Sequence, residues 1–529
     1  MKKKIDVVVI GGGITGAGIV RDCAMRGLKT MIVEKNDFSS GTSSKSGKLI
    51  HGGLRYLEFF QLKLVFESCL ERHRLLKIVA PHIVRPVNFV IPFYKTTKHP
   101  KWFIALGLLT YDILSLFRNI KHFTNIGRKK LIDMEPLLKK ETSKGALAYY
   151  DCAALDTRLT IDSIKSAEEA GATILNYTEV KEINFSDAGV DLRVLNLTNN
   201  NEYTVSTKTV INATGVWADE LMKLTSAPDS FNLKMTSGIH LIFSKERLPI
   251  SNTLALESVK DKRPLYLVPW KNFVLLGTTD RFFNGDKDNP TIEDSEIDYL
   301  LESLNHYFPD QNLTRNDIIS ITTGIRPLIG SNKGKSEGQI SRDYEIITDS
   351  RGMISITGGK LTSYRSMAKK TVDRLIKKFF QERDFKKCMT ISPISGGDIE
   401  KINLDDLSKK HHVERKKLEL LFERYGSNIT SILSHGKHDK SKFEYISNDF
   451  PYSWAEIDYI VREEFVERLS DLLERRTIIY LSHPCINKET LIKIANYVGS
   501  IKDWNENKIQ DEIQYYEQHT LKNIKEVKQ

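Results

Sequence analysis

Strand-like and helix-like apolar patterns alternate along this chain, and glycine marks most of the joins. The first apolar run, Ile5–Ile10, ends in Gly11-Gly12-Gly13-Ile14-Thr15-Gly16-Ala17-Gly18, and a second, Lys29-Thr30-Met31-Ile32-Val33, ends at Glu34. That order predicts strand, glycine turn, helix, strand and terminal acid. Gly11 and Gly13 permit a tight turn and close backbone approach to a pyrophosphate. Gly16 lets the helix pack on the strand, and the helix offers its free N–H groups and positive dipole end. Glu34 is placed to accept hydrogen bonds from an adenosine ribose. The segment reads as a dinucleotide-binding unit.

Further along, Asp156 to Ala170 has the spacing of an amphipathic helix, and Thr173 to Ile183 that of a following strand. Val210-Ile211-Asn212-Ala213-Thr214-Gly215-Val216-Trp217 is a second strand-to-glycine turn. Between Leu233 and Asp280, short β-rich runs broken by Gly and Pro predict a separate antiparallel sheet facing the substrate. Met353 to Gly359 returns to the nucleotide domain as a strand ending in glycines, followed by helix-like Ser366 to Phe380. A polar link at Thr390 to Asp398 leads into helical periodicity rich in Lys, Glu and Leu, ending in a lysine-rich tail read as frayed. The boundaries read from this pattern give one large region at 1–390. Its nucleotide-binding part takes about 1–80, 140–225 and 325–385, its sheet about 81–139 and 226–324, and a helical domain fills 391–529.

Trp102 to Phe117 is the longest apolar stretch, sixteen residues interrupted by Asp112. A spanning helix takes roughly twenty, so no transmembrane segment is expected. Lys95, Lys98 and Lys101 precede the stretch, and Arg118, Lys121, Arg128, Lys129 and Lys130 follow it. Such a segment suits an anionic membrane interface, or equally a core helix with solvated ends. The apolar run after Lys2–Lys4 is too short for a signal peptide, so export is not expected.

With 529 residues and 40% hydrophobic content, the chain can bury a large core. Seventy-eight basic against 68 acidic side chains leave a net charge of +10, which favours anionic partners. No basic stretch is interleaved with stacking aromatics, so nucleic acid is not among the partners expected. Five cysteines without regular spacing read as reduced thiols in a cytosolic protein. His411, His412, His435 and His438 read as solvated rather than metal-binding, and no metal site is expected.

The glycine fingerprint alone does not separate NAD from FAD. The hydroxyl- and glycine-rich run from Phe38 to Tyr56, immediately after the ribose acid, favours FAD, because an extended cofactor can thread along it from pyrophosphate to ring. Three separated motifs then resemble those of FAD-dependent glycerol-3-phosphate dehydrogenases. Ile10 to Gly27, IGGGITGAGIVRDCAMRG, is similar to the family's first signature, with Val20 where a smaller alanine is usual. Gly358 to Ala368, GGKLTSYRSMA, resembles the second. Asp471 to Thr477, DLLERRT, resembles the C-terminal domain motif.

The resemblance implies an α/β fold: a Rossmann-like FAD-binding domain of the glutathione-reductase/D-amino-acid-oxidase type, an inserted antiparallel-sheet substrate domain and a C-terminal helical domain. It implies oxidation of sn-glycerol 3-phosphate to dihydroxyacetone phosphate, with electrons passed to a membrane quinone. The implied setting is the cytoplasmic face of the membrane, with an anionic lipid surface and a second copy of the chain as partners. The substrate residues implied are Arg55, Tyr56, His240, Thr278, Thr279, Arg326 and Lys360. Forked guanidinium groups and an ammonium suit a phosphate dianion. His240 and His51 are the candidate bases, since imidazole titrates near operating pH, with Arg326 and Lys360 beside them.

The cofactor residues implied begin with Gly11, Gly13, Ile14, Thr15, Gly16, Glu34 and Lys35. They continue through Thr42, Ser43, Ser46, Leu49, His51 and Gly52. Val180, Ala213, Thr214, Gly215 and Trp217 follow, then Gly358, Gly359, Lys360, Leu361 and Thr362, with Lys360 and the Gly358–Gly359 turn also stabilising negative charge near the flavin. Three alternatives stand beside this reading. They are a glycerol-3-phosphate oxidase using O₂, disfavoured because its extra insertion has little room here, an NAD-linked dehydrogenase, and a non-catalytic flavin scaffold.

Overall fold

The computed structural model describes residues 5–141, 143–225, 231, 233–329 and 343–528. Strand β1 (Ile5–Ile10), helix α1 (Ile14–Met25) and strand β2 (Thr30–Val33) form in the order predicted. β1 pairs in parallel with β2 on one side and with Asn201–Asn212 on the other. Both of its faces are covered: Val7, Val8 and Val9 are fully buried, which is why this strand reads as an unbroken apolar run rather than an alternating one. The sheet continues outward through Ile354–Gly358 and Tyr344–Thr348, and on the other edge through Thr173–Leu175. α1 packs between helices Asp156–Glu169 and Tyr364–Phe379, burying Ile19, Val20 and Cys23.

The single strand expected over Thr173 to Ile183 is two strands, Thr173–Leu175 and Thr178–Ser186. The break falls at Tyr177, whose φ is +48° and whose N–H donates to the Asn36 carbonyl. Asp156–Glu169 is a helix, but twelve of its fourteen residues are buried, so its polar side is not solvated. Arg158 pairs with Asp162 and Glu464, and Asp156 with Lys48, because other parts of the chain cover that side.

The second sheet is built around Lys234–Ser244, which pairs antiparallel with Phe273–Gly277 and Ile318–Leu328. It is mixed rather than wholly antiparallel, since Thr253–Glu257 runs parallel to Arg85–Pro92. Ala146–Ala153 and Leu49–Ile50 also belong to it, although the sequence boundaries placed both in the nucleotide-binding part. An apolar strand buried on both faces carries no mark of which sheet it joins.

Helices from Leu404 to Lys528 form the C-terminal domain, which shares one continuous apolar core with the second sheet. The 390–398 link is not a loose tether: buried Arg21 of α1 donates to the carbonyls of Thr390, Ser392 and Pro393. The tail read as frayed is helix Lys522–Lys528, with Leu521, Ile524 and Val527 buried. His435 is not solvated either, its ring nitrogen lying 2.9 Å from Glu463.

Among the described residues no helix is long and apolar enough to cross a membrane. The apolar stretch at 102–117 folds as helix Lys101–Leu114, which buries Leu108, Tyr111 and Asp112 inward. Trp102, Phe103, Leu106, Leu109 and Ile113 remain exposed, as do Leu116 and Phe117 beyond its end. Phe59, Phe60, Leu62 and Phe66, on the adjoining turn and helix Leu62–Arg74, are exposed beside it.

Candidate functional site

A cavity of about 490 Å³ opens along the C-terminal ends of β1, β2 and Asn201–Asn212. Glu34, Lys35 and Val180 line it, with Gly11, Gly13, Ile14 and Thr15 at the glycine turn. Thr42, Ser43 and Ser46 follow, then Ala213, Thr214, Gly215 and Trp217, and finally Gly358, Gly359, Lys360 and Leu361. Residues far apart in sequence meet because parallel strands all end on one side, where crossover turns leave a crevice. The Glu34 carboxylate accepts hydrogen bonds from the N–H groups of Gly12 (2.6 Å) and Asn36 (2.8 Å). Burial pushes its pKa up and these two backbone donors pull it back.

The glycine turn fits a diphosphate. A Cβ on Gly13 meets only the Ser43 hydroxyl, at 3.1 Å, so the missing side chain leaves an open cradle at the N-terminus of α1. Gly16 does a different job. Its Cβ would stand 1.9 Å from the Gly11 carbonyl oxygen, and its absence is what lets α1 seat on the turn.

Five residues of the expected cofactor set are not on this wall. Gly16 lies beneath it. Gly52 is buried, with its N–H donating to the Tyr111 hydroxyl at 2.7 Å. Thr362 is tied to the His51 backbone, accepting from its N–H and donating to its carbonyl. Leu49 and His51 face a second cavity. The wall also includes Ser40 and Gly41 of the run expected to carry the extended cofactor, and Asn36, Thr178 and Glu179, which motif reading missed. The signal for these three was adjacency to Glu34 and Val180.

The second cavity, about 110 Å³, brings together Arg55, Tyr56 and Thr278 from the expected substrate set and His51, a candidate base. It adds Asp151, Arg263 and Tyr266, for which no motif gave a signal, and Asp280, which directly follows Thr278 and Thr279. The two cavities adjoin at Lys360. Lys360, on the wall of the first, holds its ammonium 3.6 Å from the ring centroid of Tyr56, on the wall of the second. Arg326 donates to the Thr278 hydroxyl at 2.7 Å and lies 3.2 Å from an Asp280 carboxylate oxygen. Arg263 donates to the Asp280 carbonyl at 3.1 Å, so two guanidinium groups converge on one turn.

Thr279 is not a ligand-facing residue. Its hydroxyl accepts from the Ile239 N–H at 2.9 Å and donates to Glu296 at 2.6 Å, within the core. His240 is buried between Gly47 and Gly277, where a Cβ would reach within 3.4 Å of its Nε2 and 2.4 Å of its Cδ2. Its Nδ1 has no hydrogen-bond partner among the described residues. Burial, with Arg326 and Lys48 nearby, drives its pKa down to about 3, so the expectation that it titrates near neutrality does not hold.

Below the second cavity lies a buried polar cluster. Tyr111 donates to Asp151 at 2.8 Å, and Arg72 pairs with Asp151. Burial raises the Asp151 pKa, while Arg72 and the Tyr111 hydroxyl oppose the rise. Among the described residues no group of three or more His, Cys, Asp or Glu side chains is placed to hold a metal ion.

Comparison with known proteins agrees with this geometry. Residues 6–365 match the family described as FAD dependent oxidoreductase, and residues 388–509 match the C-terminal domain of alpha-glycerophosphate oxidase. The aerobic glycerol-3-phosphate dehydrogenase of Staphylococcus haemolyticus (strain JCSC1435) is 35% identical over 518 residues, covering 94% of this chain and 92% of the relative. That of Staphylococcus aureus (strain USA300) is 35% identical over 486 residues, covering 89% and 86%. The structure of the glycerol-3-phosphate dehydrogenase from Bacillus halodurans, complexed with FAD, superposes with a TM-score of 0.79 at 28% identity, covering 99% of this chain and 95% of that one. L-alpha-glycerophosphate oxidase from Mycoplasma pneumoniae, with FAD bound, shares the fold at a TM-score of 0.56 and 18% identity, over 74% of this chain and 99% of that one.

Proposed function

This chain belongs to the aerobic glycerol-3-phosphate dehydrogenases within the FAD dependent oxidoreductase family, and from that premise we propose that it oxidises C2 of sn-glycerol 3-phosphate in the second cavity and passes the electrons to a membrane quinone. The observation that carries the reading is the Lys360–Tyr56 contact, which joins a cofactor-sized cleft to a small cavity with guanidinium groups on its wall. When bound, FAD supplies the acceptor for the hydride that leaves C2.

Arg55, Arg326 and Lys360 hold the phosphate through charge-assisted contacts. Thr278, oriented by Arg326, keeps the glycerol backbone facing the cofactor cleft. As hydride leaves C2, the C2 hydroxyl proton passes to the His51 imidazole and the C2–O bond becomes a carbonyl. His51 is preferred over His240 because it lines the cavity, whereas His240 is walled in and too weakly basic to take a proton near neutral pH. The unpaired His240 Nδ1 suits a polar group that arrives with the bound ligands.

The exposed apolar patch of helix Lys101–Leu114 and Phe59–Phe66 supports attachment to an anionic bilayer, where quinone is reached. Anaerobic addition of glycerol 3-phosphate to the purified flavoprotein tests the central reading: the flavin band bleaches and dihydroxyacetone phosphate forms in equal amount. No bleaching would overturn it. Rapid reoxidation by air with stoichiometric hydrogen peroxide would favour the oxidase instead.

A further inference from the structure

The C-terminal motif at Asp471–Thr477 has no part in the chemistry above, yet its two arginines are almost completely buried and point at the cofactor-binding domain. Arg475 Nε donates to Asp37 Oδ2 at 2.5 Å, and Arg476 reaches the same carboxylate with Nη1 at 2.8 Å and Nη2 at 2.7 Å. Asp37 sits three residues after Glu34, in the loop that forms the ribose end of the cofactor cleft. Burial works against its charge, but the Arg476 and Arg475 guanidinium groups overcome that and hold it below the usual carboxylate range.

Three further contacts fasten the same loop to the same domain. Phe38 is fully buried, with its ring edge-on to Phe465 at a centroid distance of 5.6 Å. On its other side it fills the space where a Gly12 Cβ would lie, 2.4 Å from the Phe38 ring. Asn176, beside the loop, donates to the Phe465 carbonyl at 2.7 Å. Tyr177, whose N–H holds the Asn36 carbonyl, donates its hydroxyl to Asp471 at 2.7 Å, and Asp471 in turn accepts from Arg475 at 2.8 Å. The loop is thus held to the pyrophosphate turn through the Gly12 N–H to Glu34 bond and the Phe38 ring, and to the C-terminal domain through that same ring and the Asp37 carboxylate.

We propose that the C-terminal helical domain is a positioning element for the cofactor: by closing Arg475 and Arg476 on Asp37 it holds the 34–41 loop, and with it Glu34 and the glycine turn, in the shape that retains FAD. A loop of this composition, in which charged and polar side chains surround Phe38, has little apolar surface of its own beyond that ring. Its conformation therefore depends on what it is tied to. None of these residues touches the substrate cavity, so the device acts on cofactor affinity rather than on hydride transfer.

The experiment uses full-length apoprotein titrated with FAD, read by quenching of flavin fluorescence, alongside the apoprotein Tm and the rate of anaerobic flavin reduction at saturating FAD. For Asp37→Asn the FAD Kd rises tenfold or more, while the reduction rate at saturation stays within twofold of wild type. Tyr480→Phe is the control. It removes the bond from the Tyr480 hydroxyl to the Ile321 carbonyl, which joins the C-terminal domain to the substrate sheet instead of the loop. This variant lowers Tm without moving the Kd. If Asp37→Asn does not fold, Arg475→Lys, which keeps the charge and loses the fork, gives a smaller rise of several-fold. An FAD Kd within twofold of wild type in the folded loop variant, or an equal rise in Tyr480→Phe, overturns the proposal. Failure of wild-type protein to bind FAD would overturn the flavoenzyme reading itself.

Discussion

The ammonium of Lys360 stands 3.6 Å from the centroid of the Tyr56 ring, joining the glycine turn at Gly358–Gly359 to the loop that carries Arg55. A cation over an aromatic face is held by about 0.5–2 kcal/mol. Tyr56→Phe keeps the ring and is expected to change kcat/KM for glycerol 3-phosphate little. Tyr56→Leu removes the aromatic face from the ammonium and lowers it several-fold. Lys360→Met removes the charge itself and costs about 1.5–3 kcal/mol, on the order of ten- to hundredfold. Steady-state kinetics of the three variants, with an artificial electron acceptor, give that order; equal effects in all three would show that the contact only supports the fold.

Gly13 and Gly16 separate binding from folding. Gly13→Ala places a methyl in the phosphate cradle against only the Ser43 hydroxyl, so the apoprotein melts near the wild-type Tm while FAD affinity falls sharply. Gly16→Ala drives a methyl into the Gly11 carbonyl and destabilises the apoprotein itself, by an amount typical of severe overpacking, about 1–3 kcal/mol or more. Apoprotein Tm and FAD titration on both variants test the distinction.

His51→Gln is expected to lower the rate of flavin reduction at saturating substrate by about 10²–10⁴-fold, the usual worth of a positioned general base. Stopped-flow reduction at saturating substrate measures it; a rate within twofold of wild type in the variant would assign the base elsewhere.

His240 should be visible in stability. Its folded pKa of about 3 lies below the value of an exposed imidazole, because burial disfavours the cation and Arg326 and Lys48 repel it. Between that value and the unfolded pKa near 6.5, the unfolded chain binds the extra proton, so stability present above about pH 6.5 is lost as pH falls. The loss from this one group amounts to about 2 kcal/mol between pH 7 and pH 5. Urea unfolding of apoprotein at the two pH values measures it, and His240→Gln removes that share of the difference.

The apolar patch predicts a membrane phenotype that spares the chemistry. Phe60 is 85% exposed, and Leu106 and Leu109 are about half exposed on the neighbouring helix. Changing the three to Asp is expected to abolish flotation with vesicles containing anionic lipid and to reduce electron transfer to quinone. Flavin reduction by substrate stays unchanged. High salt alone releases only part of the wild-type protein, since each basic residue near the surface contributes about 1 kcal/mol and the apolar contacts are unscreened. Unaltered vesicle binding in the triple variant would place the membrane contact elsewhere.

Local order determined what could be read directly. The strand Ile5–Ile10, the glycine turn and Glu34 are contiguous or nearly so, and their periodicity and spacing are set by backbone sterics and by the shape of a diphosphate, so the FAD-binding unit is legible in some thirty residues. Family motifs carried most of the cofactor wall and Arg55, Tyr56, Thr278 and Arg326 as well. Tertiary structure decided what depends on partners distant in sequence. Whether an imidazole titrates is a matter of burial and neighbouring charge, and only the fold encloses His240 beside Arg326 and Lys48 while leaving His51 on a cavity wall. Thr278 and Thr279 are adjacent and chemically alike, yet the turn after strand Phe273–Gly277 brings one to Arg326 and spends the other on Glu296. Arg263 carries no motif, and Asp37 meets Arg475 and Arg476 across more than four hundred residues. Such pairings follow from how sheets and helices pack, a long-range property that composition and periodicity do not encode.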